Sequence, residues 1–384
     1  MPDYDFCITG AGCAGLSLLV RMLSEPALQN KKILVIDRDP KTANDRTWCF
    51  WEKEEGFFGQ IVSHRWSKFW FHNNEGSRLL ETAPYVYKMI RGIDFYNYCL
   101  DKIRSHSNVE WIAGNVDSIH SNNKSTCAIV DGQKITAGRI FNSIPFPKPT
   151  TGQQWRLLQH FKGWTIRSLE PAFNPAEATV MDFRVTQQQG ACFFYVLPFT
   201  ATQALVECTF FSGSTFPESV YTDLLIRYIR DTLKINDYVI MERELGVIPM
   251  TTAPLPQQEY FIRNIGAAAG LTKPSTGYTF QFIQDDSARI VSSLVHHLAP
   301  PAISSSRRFR LYDRILLNVL ITQKLTGYDV FSSLFSNATA PDILAFLDNS
   351  SNLRQDYKII RTLPKIPFIR AAANELFDFN LRFV

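Results

Sequence analysis

The chain has 384 residues, of which 45% are hydrophobic and 20% are charged, as in a globular protein with a sizeable core. Its formal net charge of +4 is too small to favour a nucleic-acid-binding protein. The seven cysteines are scattered without a C-x-x-C pair, so we expect free thiols, a cytoplasmic compartment and no metal site. No apolar stretch approaches the roughly 18 residues that span a bilayer, and the start of the chain lacks a secretory pattern, so any membrane contact should be peripheral.

The first elements predict a dinucleotide-binding βαβ unit. Residues 4–9 and 32–36 are short apolar strands, an apolar helix begins near Leu16, and Asp37 ends the second strand. A G-x-G-x-x-G motif between the first strand and the helix is formed by Gly10, Gly12 and Gly15. The first glycine permits a tight turn, the second lets the backbone approach a pyrophosphate, and the third lets the helix pack closely. Asp37 can accept hydrogen bonds from ribose hydroxyls and would repel the 2′-phosphate of NADP.

Two later segments favour FAD over NAD. Residues 89–96 resemble a segment that flanks the flavin in hydroxylase-type flavoproteins, and Arg91 is its arginine, although a surface charge at a helix start fits Arg91 as well. Residues 265–278 are rich in small residues and lead into a predicted helix whose N-terminus would favour negative charge at the flavin's polar edge. The candidate flavin contacts in this segment are Gly270, Pro274, Thr276 and Gly277.

The pattern of elements predicts an α/β fold with a Rossmann-type FAD-binding domain and an inserted β-sheet domain. We expect FAD binding across residues 1–150, with helical and sheet insertions, and a substrate-binding sheet across residues 151–250. Residues 251–300 should return to the FAD domain with the flavin-contacting motif, and residues 301–384 should be helical. A hairpin and a returning strand are predicted at residues 126–130, 134–137 and 139–143.

One acidic residue is prominent in the predicted substrate domain. Residues 191–198 and 203–211 form a predicted hairpin, and the second strand is apolar on both faces except at Glu207 and Thr209. Burial would disfavour the charged carboxylate, raise its pKa and suit Glu207 to act as an acid. A Glu207 that is exposed or paired with an arginine fits the strand equally well.

The order of these motifs resembles the bacterial-type, FAD-dependent lycopene β-cyclase family. The matching segments span roughly residues 1–290 and are residues 10–15, 37–40, 44–51, 87–95, 206–209, 246–250 and 270–278. The nucleotide and flavin segments are shared by many enzymes, whereas the segments around Trp48 and Glu207 are specific to this family. The family often carries a second acid after the glutamate; Cys208 stands there in this chain, so Glu207 is the only acid of the motif.

The resemblance implies a redox-neutral isomerase of carotenoid biosynthesis. A proton adds to a linear end of lycopene, the carbocation closes a six-membered ring, and a proton is lost, giving γ-carotene and then β-carotene. The resemblance also implies FAD in its reduced form, with NAD(P)H as the electron source, and Glu207 as the proton donor. Aromatic faces stabilise cations, and the candidates for that role are Trp48, Trp51, Phe193, Phe194 and Tyr278.

Two other functions fit the same fold. An FAD-dependent monooxygenase or reductase acting on a polyprenyl or carotenoid substrate would consume NAD(P)H in proportion to product. A lipid-binding relative without activity would purify colourless. The C-terminal segment also has two interpretations: residues 358–370 mix basic and apolar side chains around Pro364 and Pro367, which predicts contact with the inner face of an anionic membrane, or a solvated helical face.

Overall fold

The computed structural model describes residues 2–145, 156–187, 190–303 and 306–381, so the predicted domain boundary at residue 150 lies outside the described residues. In chain order its strands are β1 (Tyr4–Thr9), β2 (Ile33–Asp37), β3 (Thr47–Glu52), β4 (His64–Trp66), β5 (Lys68–Asn73), β6 (Gly76–Glu81), β7 (Val86–Arg91), β8 (Val109–Ala113), β9 (Val116–Ser121), β10 (Thr126–Val130), β11 (Gln133–Asn142), β12 (Arg156–Ser168), β13 (Ala178–Asp182), β14 (Ala191–Pro198), β15 (Gln203–Ser212), β16 (Tyr238–Thr251), β17 (Gln258–Glu259) and β18 (Ile262–Asn264). The α-helices are α1 (Cys13–Leu23), α2 (Gly92–Arg104), α3 (Glu218–Arg227), α4 (Phe280–Val295), α5 (Arg307–Ile321), α6 (Gly327–Asn337), α7 (Ala340–Leu347), α8 (Leu353–Ile360) and α9 (Lys365–Leu381).

The first sheet has the parallel core expected for a nucleotide-binding fold. Its strand order is β17-β18-β11-β1-β2-β8, with parallel pairing from β18 through to β8, and the β9–β10 hairpin extends it from β11. Helix α1 connects β1 to β2 and packs against α4. It begins at Cys13, earlier than predicted, because the helix starts directly after the glycine turn. The predicted strands at 134–137 and 139–143 are one continuous strand, β11.

The second sheet is larger and almost entirely antiparallel. Its order is β16-β12-β15-β14-β13-β5-β6, so two strands from the first hundred residues complete a sheet built mainly after residue 155. The predicted hairpin of β14 and β15 lies at its centre. One face packs on α3 through an apolar cluster that includes Trp164, Phe194 and Phe210. The opposite face packs on α6, α7 and a small sheet of order β3-β7-β4.

The C-terminal helices close the second sheet. Helices α6 and α7 contact β14, β5 and β6, and they contribute Phe331, Phe335 and Leu344 to the aromatic core. A capping box of Thr326 and Asp329 starts α6. Pro364 precedes α9, whereas Pro367 lies in the first turn of α9 and does not break it. Within the described residues, every helix is too short or too polar to cross a bilayer.

Candidate functional site

The glycine turn has the geometry of a phosphate cradle. Gly10 has a φ of +89°, and a Cβ on Gly15 would lie 2.0 Å from the carbonyl oxygen of Gly10. A Cβ on Gly12 would meet no described atom within 4 Å, so this backbone is open to a ligand. Gly12 is also the N-cap of α1 and offers no side-chain cap. The first N–H groups of α1 can therefore bind an anion.

Asp37 lies beside this turn, at the end of β2. The backbone N–H of Ala11 donates to Asp37 Oδ2 at 2.5 Å, and Lys41 Nζ lies 3.3 Å from the same oxygen. The backbone N–H of Asp39 donates to Oδ1 at 2.7 Å. The carboxylate thus braces the glycine turn from the position where a ribose-binding acid is expected.

A second cradle precedes α4. Gly270 and Gly277 have φ angles of +79° and +74°, which favour glycine. A Cβ on Gly277 would lie 2.1 Å from Gln159 Oε1. That oxygen and Thr276 Oγ1 are buried and have no hydrogen-bond partner among the described residues. Unpaired buried polar atoms are rare, so this turn has the polar capacity to hold a ligand such as FAD.

Arg91 ends β7 and is the N-cap of α2. Its Nη2 lies 3.0 Å from Glu242 Oε1, and Asn44 Nδ2 donates to Glu242 Oε2 at 2.7 Å. The pair is about one-third exposed, so its net contribution to stability is small, about 0–1 kcal/mol. Arg91 is therefore held at the junction of the small sheet and β16.

Glu207 points into the protein interior from the centre of the second sheet. On its two sides the register places Tyr195 of β14 and Gly163 of β12. The hydroxyl of Thr209 donates to Glu207 Oε1 at 2.8 Å. Burial, and then the neighbouring Glu244, raise the pKa of Glu207 well above its usual range, because both disfavour the charged carboxylate.

A second carboxyl group, Glu244, joins Glu207 from outside the motif in which Glu207 is the only acid. Glu244 lies on β16, also opposite Gly163, and its carboxyl group lies within hydrogen-bonding reach of the carboxyl group of Glu207. The hydroxyl of Thr47 donates to Glu244 Oε2 at 2.8 Å. The second acid is therefore supplied by β16 and not by position 208. Cys208 lies on the opposite face of the second sheet, which packs on α3. The alternation of Glu242 and Glu244 in β16 was the available signal, since residues i and i+2 share a face.

The predicted Tyr278 and two tyrosines that sequence reasoning missed, Tyr195 and Tyr87, form a cluster next to this carboxyl pair. The hydroxyl group of Tyr278 lies within hydrogen-bonding reach of the hydroxyl groups of Tyr195 and Tyr87. Trp51 stands edge-on to Tyr278, with ring centroids 4.6 Å apart. These rings line a narrow apolar cavity that is closed by α6 and α7. The other residues that line the cavity are Phe69, Val180, Met181, Phe211, Thr276, Phe331, Phe335, Leu344 and Leu347.

The structure separates the five predicted aromatic candidates. Trp51 and Tyr278 line the cavity, and Phe193 packs behind it against Phe211. Phe194 lies on the opposite face of β14, stacked on Tyr228 at 3.9 Å. Trp48 lies on the opposite face of β3 from Trp51 and packs edge-on to Phe95 and Tyr96. The cavity that Trp51 and Tyr278 line therefore does not include Phe194 or Trp48, because side chains along a strand point alternately to its two faces.

Comparisons with known proteins give a family and a fold. A family model described as lycopene cyclase protein matches residues 5–373. The lycopene beta-cyclase of Pantoea ananas is 24% identical over 317 residues, covering 77% of this chain and 78% of the relative. That of Pseudescherichia vulneris is 24% identical over 407 aligned residues, covering 97% and 98%.

Solved structures share the fold at low identity. A flavoprotein/dehydrogenase from Cytophaga hutchinsonii superposes with a TM-score of 0.66 at 11% identity, covering 98% of this chain and 99% of that chain. A geranylgeranyl bacteriochlorophyll reductase-like protein from Thermoplasma acidophilum gives 0.59 at 12% identity, covering 97% and 96%. The predicted hydroxylase-like flavoprotein fold is confirmed.

Proposed function

The chain belongs to the lycopene cyclase family, and on that premise we propose that it cyclises the linear ends of lycopene to β-rings. The observation that carries this proposal is Glu207, which points into the interior beside an apolar cavity walled by aromatic rings and whose pKa is raised by burial and by Glu244. Protonation of a hydrocarbon double bond needs an acid in a dry site, because water would quench the carbocation. The reaction adds a proton and loses a proton, so the carotenoid is neither oxidised nor reduced.

In this mechanism each group of the chain has a separate task. Glu207 donates the proton to the terminal double bond of the linear end. The faces of Trp51, Tyr195 and Tyr278 stabilise the cation, each by roughly 2 kcal/mol when desolvated. Burial raises the pKa of Tyr195 far above its usual range, so this side chain stays neutral and does not capture the cation as a phenolate.

We infer that the two cradles hold FAD. The glycine turn and the N-terminus of α1 would bind the pyrophosphate, and Asp37 would bind a ribose. Thr276, Gly277 and Gln159 would face the flavin, with Gly270 and Pro274 shaping the turn and Arg91 near its edge. A bound flavin, reduced by NAD(P)H, would supply negative charge that stabilises a nearby cation.

We infer a peripheral contact between the C-terminal helices and a membrane that contains the carotenoid. Five exposed apolar side chains on α8 and α9 define what we call the C-terminal patch: Leu353, Tyr357, Ile360, Ile366 and Ile369. Exposed basic side chains stand among them: Arg354, Lys358, Arg361, Lys365 and Arg370. Apolar residues that insert below the headgroups, flanked by lysine and arginine, are typical of helices that bind an anionic lipid surface.

The test is expression of the chain in a bacterium that accumulates lycopene, followed by pigment analysis. We expect γ-carotene and β-carotene to replace lycopene. A monooxygenase or reductase would instead yield oxygenated or more saturated products and would consume NAD(P)H in proportion to them. A lipid-binding protein would leave lycopene unchanged and would carry no flavin absorbance after purification.

A further inference from the structure

Glu207 and Glu244 share one neighbour across the sheet. In the register of the second sheet, Gly163 of the intervening strand β12 pairs with both glutamates. Neighbouring strands lie about 4.8 Å apart, so the two glutamate backbones are roughly 10 Å apart. The two glutamate side chains can meet because Gly163, which lies between them, has no side chain. A Cβ on Gly163 would lie 2.8 Å from Glu244 Oε1 and 3.0 Å from Leu205 Cδ1.

Each carboxyl group accepts a hydrogen bond from one threonine hydroxyl through one of its two oxygens. The second oxygen of each carboxyl group is left to interact with the other carboxyl group. Thr209 donates to Glu207, and Thr47 donates to Glu244. Glu244 Oε1 is buried and has no hydrogen-bond partner among the described residues, and a protonated Glu207 would be a donor within its reach. The other titratable or charged groups that face the pair are Tyr195, Cys49, Tyr278, Arg46 and Glu242.

We propose that Glu207 and Glu244 work as one proton-sharing pair, with Glu244 as a positioning residue that acts through Glu207. This inference rests on the proposed function and adds a residue to it. Two adjacent carboxylates in a desolvated site do not readily both ionise. One proton therefore stays on the pair, in a hydrogen bond donated by Glu207 to Glu244.

The pair can also take back the proton that the reaction releases, so the reaction neither consumes nor produces protons overall. The O–H bond of Glu207 breaks, and its proton forms a C–H bond at the linear end, which leaves two carboxylates beside the carbocation. The cation forms the C–C bond of the ring. A C–H bond next to the cationic carbon then breaks, its electron pair becomes the ring double bond, and the proton returns to the repelling carboxylates. The molecular formula and the electron count are unchanged.

Infrared difference spectroscopy of the purified protein tests the shared proton without any substrate. The wild type should show a protonated-carboxyl band that persists above the usual titration range of glutamic acid, and the difference between its spectrum and that of Glu207→Gln isolates the contribution of Glu207 from that of Asp348. In Glu244→Gln the like charge is gone, so the band should titrate at a pH lower by about one unit or more. An unchanged titration in Glu244→Gln would overturn the pair, even if the chain cyclises lycopene.

The pH profile of cyclisation provides a second readout. Because Glu207 must be protonated to act, Glu244→Gln should move the alkaline limb of the profile to lower pH. A merely structural effect of Glu244 would lower the rate by the same factor at every pH and would overturn the inference. Circular dichroism and thermal melting show whether Glu244→Gln folds. If it misfolds, Glu244→Asp is used in its place, because aspartate keeps the charge but has a shorter side chain. Glu244→Asp should lower the pH at which the Glu207 band titrates, and an unchanged titration would overturn the pair.

Discussion

The Cβ position of Gly15 lies 2.0 Å from the carbonyl oxygen of Gly10, whereas that of Gly12 is open. The two positions should therefore respond differently to alanine. Gly12→Ala should change the free energy of unfolding by about 1 kcal/mol or less, yet weaken FAD binding roughly tenfold or more, because its methyl group occupies the space of the pyrophosphate. Flavin absorbance and equilibrium dialysis measure the binding.

Two matched variants control this experiment. Gly15→Ala should destabilise the fold by about 1–3 kcal/mol or more, because the methyl group overlaps backbone. Gly213→Ala, in an open position after β15, should change neither stability nor flavin content. Normal FAD affinity in Gly12→Ala would remove the glycine turn from the cofactor site.

Gly163→Ala should push Glu244 away from Glu207. Because the nearest atoms belong to flexible side chains, we expect a loss of stability of only about 1 kcal/mol but a clear loss of cyclisation. Pigment analysis against Gly213→Ala measures the effect. Full cyclisation in Gly163→Ala would mean that contact between the two carboxyls is dispensable.

Asp348 predicts a pH-dependent stability. It follows α7, and burial, together with Asp285, raises its pKa from 3.8 to about 7. Between about pH 4 and pH 7 the folded chain therefore holds a proton that the unfolded chain has lost, so stability falls as the pH rises through this window. Asp348→Asn removes the cost of the buried charge and should stabilise the protein by about 1–3 kcal/mol at pH 8.

The gain from Asp348→Asn should vanish below about pH 4, where both states are protonated. Denaturant unfolding at pH 8, 6 and 4 measures it. Asp342→Asn provides a control of opposite sign, since the hydrogen bonds of Gln355 and Lys358 outweigh burial and lower the pKa of Asp342. An equal gain from Asp348→Asn at every pH would contradict the raised pKa.

Ile366 and Ile369 test the membrane contact. Their side chains are 65% and 64% exposed, so the double change Ile366→Glu with Ile369→Glu should leave the melting temperature nearly unchanged. It should reduce co-sedimentation with phosphatidylglycerol vesicles by roughly tenfold or more. Ile366→Leu with Ile369→Leu is the conservative control. Equal sedimentation of both double variants would place the contact elsewhere.

The βαβ unit was readable from the sequence because its signals are local. Strand, glycine turn, helix and terminal Asp37 follow one another within about forty residues, and each glycine has a steric reason at its own position. The β14–β15 hairpin was readable for the same reason, since a short turn fixes the pairing of its strands.

The carboxyl pair was not readable because it depends on register across a third strand. Glu207 and Glu244 are 37 positions apart, and they meet only through the pairing of both with Gly163. The positions of Trp48 and Phe194 away from the cavity were not readable for a related reason. Composition identifies an aromatic-rich strand, but only the packing of its two faces decides which ring reaches the cavity.

Glu207 is the proposed proton donor, and its role is measured most directly by pigment analysis of Glu207→Gln in a lycopene-accumulating bacterium. The variant keeps the size and hydrogen-bonding capacity of the side chain but has no acidic proton, so lycopene should accumulate while the purified protein retains its FAD and its melting temperature. β-Carotene at the wild-type level in Glu207→Gln would contradict the account.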